Sequence, residues 1–182
     1  AGTPRKLGDI ALKTLETYAP NFAEFALAMN LPGCETLPAF RDVVEKLERQ
    51  IARNKSKAKT ENYPAWFAWT VYQKTVAKLT SEPVEDFRID FEDGYGFRID
   101  EEEDRDSENA ALELARSIEQ GTVTRFCGFR VKSFQPETYS RAVRTLDLFL
   151  NKLFESANRL PENFVVTLPK ISDRKQVRDL AD

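Results

Sequence analysis

The second half of the chain alternates apolar and charged residues with the period of a β-strand. The stretch "DFRIDFED" (86–93) places Phe87, Ile89 and Phe91 on one face and charged residues on the other. The stretch "TRFCGFRVKSF" (124–134) predicts a second strand, in which Cys127 and its apolar neighbours face helices and Arg130 faces the opposite way. "NFVVTLPK" (163–170) predicts a third strand, and its almost continuous apolar run is typical of a strand covered on both faces.

Helical patterns separate these strands. Residues 100–121 begin with acidic side chains, which complement the positive end of a helix dipole, and end at Gly121. Residues 136–160 carry a broad apolar stripe, and a last helix follows Ser172, which we expect to cap it. Strand and helix in strict alternation predict right-handed crossovers and a parallel sheet, and therefore an α/β fold.

The first part of the chain reads as helix throughout. Apolar residues recur at helical spacing in four stretches, which are 7–20, 21–33, 37–54 and 64–79. We expect the aromatic residues of the last stretch to anchor a core; they are Trp66, Phe67, Trp69 and Tyr72. The basic run "RQIARNKSKAKTE" (49–61) is interpreted as a solvated linker rather than a phosphate-binding loop, because it has no Gly-rich cradle. The predicted organisation is a helical N-terminal segment, 1–82, followed by βα units, 83–182.

Composition narrows the class of protein. The chain has 182 residues, of which 41% are hydrophobic and 31% charged, which indicates a folded globular protein. The net charge of -3 gives no general attraction to nucleic acid or to a membrane, and no apolar run reaches the ~20 residues of a membrane span. Cys34 and Cys127 are far apart and lack metal-ligand spacing, so we expect free thiols and a cytoplasmic protein.

The chain contains no histidine, which excludes Ser–His and Cys–His nucleophile systems and histidine-based zinc sites. Its chemistry must come from carboxylates, lysine, arginine, tyrosine or a metal held by oxygen ligands.

Charged residues gather where the three predicted strands end: Asp90, Glu92 and Asp93, then Arg130 and Lys132, then Lys170. Parallel sheets place ligands at the carboxyl ends of their strands. Two interpretations stay open. One is a salt-bridge network that fills a barrel interior, formed by Arg88, Asp90, Glu92 and Arg130. The other is a site for an anionic substrate and a divalent metal, because Arg binds planar carboxylates and Mg²⁺ prefers hard oxygen ligands.

Four stretches together resemble the citrate lyase beta subunit and HpcH/HpaI aldolase superfamily, in particular an aldolase-like bacterial branch. They are "VEDFRIDFEDGYGFRIDEEED", "FCGFRVKSF", "RAVRTLDLFL" and "LPENFVVTLPKISDRKQV", and the resemblance covers residue 83 to the end well. It implies a TIM-type (β/α)8 barrel. It also implies an Mg²⁺-dependent lyase or aldolase that cleaves or forms a carbon–carbon bond in a 2-oxo acid or acyl-CoA-type substrate, through a metal-stabilised enolate.

The resemblance also assigns roles. Glu92 and Asp93 would lie near Mg²⁺ and contact its bound water, and Arg130 would bind a substrate carboxylate. Lys170 would act at the same rim as a second catalytic residue, and Arg88 is our further candidate for substrate binding. The direct metal ligands of the family, a Glu and an Asp, come from later strands that this chain does not contain, and "DGYG" replaces the usual small apolar residues after the acidic pair.

We therefore expect part of a TIM-type barrel from a longer, homo-oligomeric enzyme. The alternative is a non-catalytic α/β binding or assembly module, since a partial barrel leaves apolar sheet surface available for association.

Overall fold

In the computed structural model, which describes residues 2–182, the chain divides into a helical unit and an α/β unit. The helical unit covers residues 4–84, and the α/β unit covers residues 85–182 together with residues 2–3. The boundary lies two residues beyond the predicted division after residue 82. None of the helices in the described part of the chain has both the length and the apolar character needed to cross a membrane.

The helical unit contains five α-helices: α1 (Thr3–Tyr18), α2 (Phe22–Ala28), α3 (Arg41–Arg53), α4 (Lys55–Glu61) and α5 (Tyr63–Ser81). Helix α4 corrects the prediction of a solvated linker over residues 49–61, because this run forms the end of α3 and all of α4. The side chain of Asn54 accepts a hydrogen bond from the backbone N–H of Lys57 and so caps α4, and the lysines of this run have good helix propensity. The predicted exposure holds for most of α4, which contains no buried residue.

The core of the helical unit is built around Phe22, Ile51 and Trp69, which are almost completely buried. Trp66 and Tyr72 pack against this cluster, so the expectation that the aromatic residues of α5 anchor a core is confirmed for three of them. Phe67 instead stacks on Tyr63, with ring centroids 5.9 Å apart.

The α/β unit alternates three strands with three helices: β1 (Asp86–Asp90), α6 (Asp100–Glu119), β2 (Phe126–Arg130), α7 (Tyr139–Ala157), β3 (Phe164–Thr167) and α8 (Arg174–Ala181). The strands are parallel and lie in the order β1-β2-β3. The predicted α/β class with a parallel sheet is therefore confirmed. Over residues 2–182 the sheet is open and three-stranded, and a closed barrel is not formed.

One face of the sheet is covered by helices. Phe129 of β2 is fully buried and stacks on Phe149 of α7, with ring centroids 4.1 Å apart. Ile89, Phe91 and Cys127 belong to the same cluster, together with apolar residues of α6. The predicted orientation is thus confirmed for Ile89, Phe91 and the apolar face of β2, whereas Phe87 is half-buried and is not part of this cluster. The charged residues of β1 lie on the opposite face.

Strand β3 differs from the prediction of a strand covered on both faces. Its burial alternates, and Val165 is 39% exposed while Phe164 and Val166 pack on the core. The physical reason is that the sheet face opposite the helices is open at Val165 and Thr167. An apolar run therefore does not by itself establish cover on two sides.

The cap of α8 is Asp173 rather than the predicted Ser172. The Asp173 side chain accepts from the N–H of Lys175 at 2.9 Å, and its own N–H donates to the Gln176 side chain at 3.3 Å. This reciprocal arrangement is a capping box, which a carboxylate forms as readily as a hydroxyl.

Candidate functional site

The centre of the candidate site is an ion pair between neighbouring strand ends. Asp90 of β1 lies opposite Arg130 of β2 in the register of the sheet. Arg130 Nε donates to Asp90 Oδ1 at 2.8 Å and Nη2 donates to Oδ2 at 2.6 Å, which is the two-point geometry that suits Arg and a carboxylate. The hydrogen bonds from Arg130 hold the pKa of the Asp90 carboxyl well below its usual range, and the same contact raises the pKa of Arg130.

Asp90 also shapes the turn that follows β1. Its Oδ1 accepts from the backbone N–H of Glu92 at 3.0 Å, and its Oδ2 accepts from that of Gly94 at 2.9 Å. A Cβ atom at position 94 would lie 2.5 Å from Asp90 Oδ2, so a side chain there would displace the carboxylate. Gly94 therefore allows the turn to approach Asp90 without moving the carboxylate from Arg130.

Lys170 joins the end of β3 to the acidic pair after β1. Its Nζ lies 2.5 Å from Glu92 Oε1 and 2.7 Å from Asp93 Oδ1. The hydrogen bond from Lys170 lowers the pKa of Asp93, and Asp93 together with Glu92 raises the pKa of Lys170. The Glu92 side chain is 8% exposed, whereas that of Lys170 is 55% exposed, so a buried carboxylate is reached by a lysine from the solvent side.

Arg130 completes this group, because its Nη1 lies 3.8 Å from Glu92 Oε2. The structure therefore brings together four of the five sequence-predicted site residues: Glu92, Asp93, Arg130 and Lys170. Arg88 lies apart from them and pairs with Asp86 at the start of β1. The salt-bridge network predicted as one interpretation thus links Asp90, Glu92 and Arg130, and does not include Arg88.

A pocket of about 350 Å³ opens beside the charged group. Glu92, Asp93 and Lys170 line it, whereas Arg130 does not. Its other walls come from the turn after β1 and the loop after β2: Gly96, Phe97, Lys132, Ser133, Gln135, Glu137 and Thr138. Gln135 donates to the carbonyl of Lys170 at 3.2 Å, so this second loop is tied to the segment that carries the lysine.

The tyrosine of "DGYG" anchors the first turn to α6. Tyr95 donates its hydroxyl hydrogen to Asp106 at 2.8 Å, and its ring packs on Phe91 with centroids 5.5 Å apart. Burial, and the hydrogen bond to Asp106, raise the pKa of Tyr95 above its usual range. Tyr95 therefore holds the turn from outside the pocket, because it is not among the lining residues.

Lys132 and Glu103 form a buried ion pair that the sequence did not predict. The Nζ of Lys132 lies 2.7 Å from Glu103 Oε2, and the two side chains are 8% and 0% exposed. Lys132 was predicted as a rim charge beside Arg130, and Glu103 as one of several acidic residues at a helix start. No signal in the sequence distinguishes Glu103 from its acidic neighbours, since only the docking of α6 selects it for burial.

Mg²⁺ takes oxygen ligands in octahedral geometry and usually keeps several bound waters. No group of three or more acidic or thiol side chains able to hold a metal ion occurs among residues 2–182. Glu92 Oε2 accepts from the N–H of Asp93 at 3.0 Å and Oε1 is paired with Lys170, and Asp93 Oδ1 accepts from the same lysine at 2.7 Å. Direct coordination by Glu92 would require its oxygens to leave Lys170 and the Asp93 N–H, whereas a carboxylate oxygen that accepts one hydrogen bond can accept a second from metal-bound water.

These features define an α/β protein with a polar, charged site at the carboxyl ends of a parallel sheet. The chain belongs to the family described as a domain of unknown function, DUF6986, whose model matches residues 1–182. A search of curated proteins and a search of solved structures found no match.

Proposed function

We propose that this chain carries part of the site of an Mg²⁺-dependent lyase or aldolase, which acts on a 2-oxo acid or acyl-CoA-type substrate through an enolate. The observation that carries the proposal is the convergence of Glu92, Asp93, Arg130 and Lys170 from three parallel strand ends beside one pocket. Opposite charges at this edge suit a small anionic substrate together with a cation. The resemblance to the citrate lyase beta and HpcH/HpaI superfamily supports the same class, and with it a TIM-type barrel.

In this proposal Arg130 binds the substrate carboxylate. Asp90 takes hydrogen bonds from Nε and one Nη2 hydrogen, so a ligand would meet the Nη1 side of the guanidinium, where Nη1 lies 3.8 Å from Glu92 Oε2. Lys170 supplies a second positive charge and an acid at the other side of Glu92. Mg²⁺, when bound, would supply Lewis-acid stabilisation of the enolate oxygen, and Glu92 and Asp93 would orient its water.

The test uses the full-length protein that contains this chain. Arg130→Ala and Glu92→Gln should each abolish Mg²⁺-dependent cleavage of 2-oxo acid or acyl-CoA substrates, with Arg130→Lys showing whether the two-point donor is needed. Arg159→Ala is the matched control, because Arg159 is an exposed arginine that lines a different pocket, on the loop before β3. Wild-type turnover in folded Arg130→Ala and Glu92→Gln variants would remove the site assignment.

A second candidate is a non-catalytic binding or assembly module, favoured by the open face of the sheet. Phe126 of β2 is 40% exposed and Val165 of β3 is 39% exposed on that face. Exposed apolar sheet surface promotes association, so we also propose a homo-oligomer. Size-exclusion chromatography with light scattering and calorimetry with Mg²⁺ distinguish the candidates: association of residues 1–182 without Mg²⁺ affinity supports an assembly module. A monomer without Mg²⁺ affinity contradicts the homo-oligomer and supports a self-contained binding module.

A further inference from the structure

We propose that Lys132 is a positioning residue of the candidate site, which fixes the peptide between Phe91 and Glu92 and is itself held by Glu103. The inference rests on the proposed function, because it concerns how the acidic pair is presented to a substrate. It extends that function to two residues outside the predicted site.

The peptide group between Phe91 and Glu92 is held at both ends. Lys132 Nζ donates to the carbonyl oxygen of Phe91 at 2.8 Å, and the N–H of Glu92 donates to Asp90 at 3.0 Å. Because a peptide is planar, two fixed ends determine its orientation and therefore the position of the Glu92 Cα atom, which carries the side chain. Lys132 therefore acts on the site through the backbone, although it borders the pocket.

Glu103 holds the Lys132 side chain in place. Its Oε2 accepts from Lys132 at 2.7 Å and its Oε1 accepts from the Thr145 hydroxyl at 2.7 Å. Arg141 Nε lies 3.5 Å from the same Oε1, so the Glu103 carboxylate has partners both on the loop after β2 and on α7. The carbonyl of Phe91 is thereby connected to the two helices that cover the sheet.

Stability alone does not account for this pair. Burying two charges costs desolvation free energy, and well-packed apolar replacements of buried ion pairs are often neutral or stabilising. A buried lysine whose second hydrogen bond goes to the backbone beside Glu92 is instead suited to fixing one turn geometry. An experiment can therefore distinguish a role of Lys132 in positioning the turn from a general contribution to the stability of the fold.

The experiment measures the local stability of the turn after β1 and the affinity for a ligand in separate assays. Lys132→Met removes the donor, and Lys132→Met/Glu103→Gln removes both charges, so that no charge stays unpaired in the core. Lys132→Arg keeps charge and donors, with the adjoining pocket to receive its larger side chain. Lys152→Met is the control, because Lys152 pairs with Glu155 on the surface of α7. Amide hydrogen exchange, denaturant unfolding, and calorimetry with pyruvate and Mg²⁺ are recorded for each full-length variant.

In Lys132→Met and in the double variant, the amides of Gly94 and Gly96 should exchange about tenfold faster, as expected for loss of a charge-assisted hydrogen bond. The amide of Phe129 in the central strand should keep its protection. The dissociation constant for pyruvate should rise about tenfold, and Lys132→Arg should return it to within about threefold of wild type.

Unchanged exchange at Gly94 and Gly96 overturns the inference. So does equal acceleration at Phe129, which indicates a general loss of stability, and so does unchanged pyruvate affinity in a variant whose turn is loosened. If the wild-type protein binds no pyruvate, the proposed function fails for a 2-oxo acid of this kind, and exchange at the turn decides the inference by itself.

Discussion

Arg130 and Asp90 face each other across neighbouring strand ends and share two hydrogen bonds, so the guanidinium is oriented before any ligand arrives. This arrangement joins the two interpretations that the sequence left open. Asp90 and Arg130 form a structural pair, and the remaining donors of Arg130 lie towards Glu92. A substrate carboxylate would therefore meet an arginine whose position is already fixed, which lowers the entropy cost of binding.

The Asp90–Arg130 pair should make stability depend on acid. The pKa of Asp90 in the folded protein lies below its ordinary value of 3.8, so the contribution of the pair is complete above about pH 4 and is lost as the pH falls towards the folded pKa. Between pH 7 and pH 3, the free energy of urea unfolding of wild type should fall by about 0.5–1 kcal/mol more than that of Asp90→Asn, a figure reduced for solvent screening. The exposed Asp9→Asn control should follow wild type; parallel curves for Asp90→Asn and wild type would contradict the prediction.

Phe149 should be a principal contributor to the stability of the α/β unit. It is fully buried and stacks on Phe129, so Phe149→Ala removes a large side chain and leaves a cavity. The free energy of unfolding should fall by about 3–5 kcal/mol, measured by chemical denaturation. Phe97→Ala is the matched control, since Phe97 is 86% exposed, and it should change the value by less than about 0.5 kcal/mol. Similar losses in both variants would argue against this core.

Gly128 should tolerate no side chain. A Cβ atom at this position would lie 1.9 Å from the backbone oxygen of Val165, its partner in β3. Because a backbone oxygen in a strand pair cannot move away freely, Gly128→Ala should cost about 3 kcal/mol and weaken protection of the β3 amides in hydrogen exchange. Gly121→Ala, in a positive-φ position with open space around it, should cost only about 1 kcal/mol. An unperturbed Gly128→Ala variant would show that β2 and β3 are not paired in this register.

The sequence predicts the strands and their apolar faces because burial on one side of a strand imposes a period of two, as Ile89 and Phe91 show. The clustering of charge at strand ends is also predictable, since parallel strands end at one edge. The ion-pair partners of these charged residues cannot be predicted from the pattern. Arg88 lies two residues from both Asp86 and Asp90, and only the register, which sets Asp90 opposite Arg130, determines which arginine each aspartate meets.

Residues in featureless runs are the hardest to assign. Glu103 follows three other acidic residues and is the buried one, because α6 docks with that face towards Thr145 and Lys132. The same limit applies to Lys55–Glu61, where a polar composition fits a solvated loop and an exposed helix equally well until Asn54 caps it. For Glu103 the information lies in tertiary contacts, whereas for Lys55–Glu61 it lies in the local hydrogen bond from the Lys57 N–H to the Asn54 side chain.

Lys170 has one consequence beyond its ion pairs. Strands β1 and β3 are separated by β2 and share no backbone hydrogen bond, yet the ammonium of Lys170 reaches both carboxylates that follow β1. The ends of the two outer strands are therefore connected by one flexible side chain, which passes over the end of the middle strand. A ligand that binds the ammonium of Lys170 and moves it away would leave Glu92 and Asp93 without this positive charge, although the ligand itself contacts neither carboxylate. The end of β3 and the turn after β1 would then respond to the same ligand.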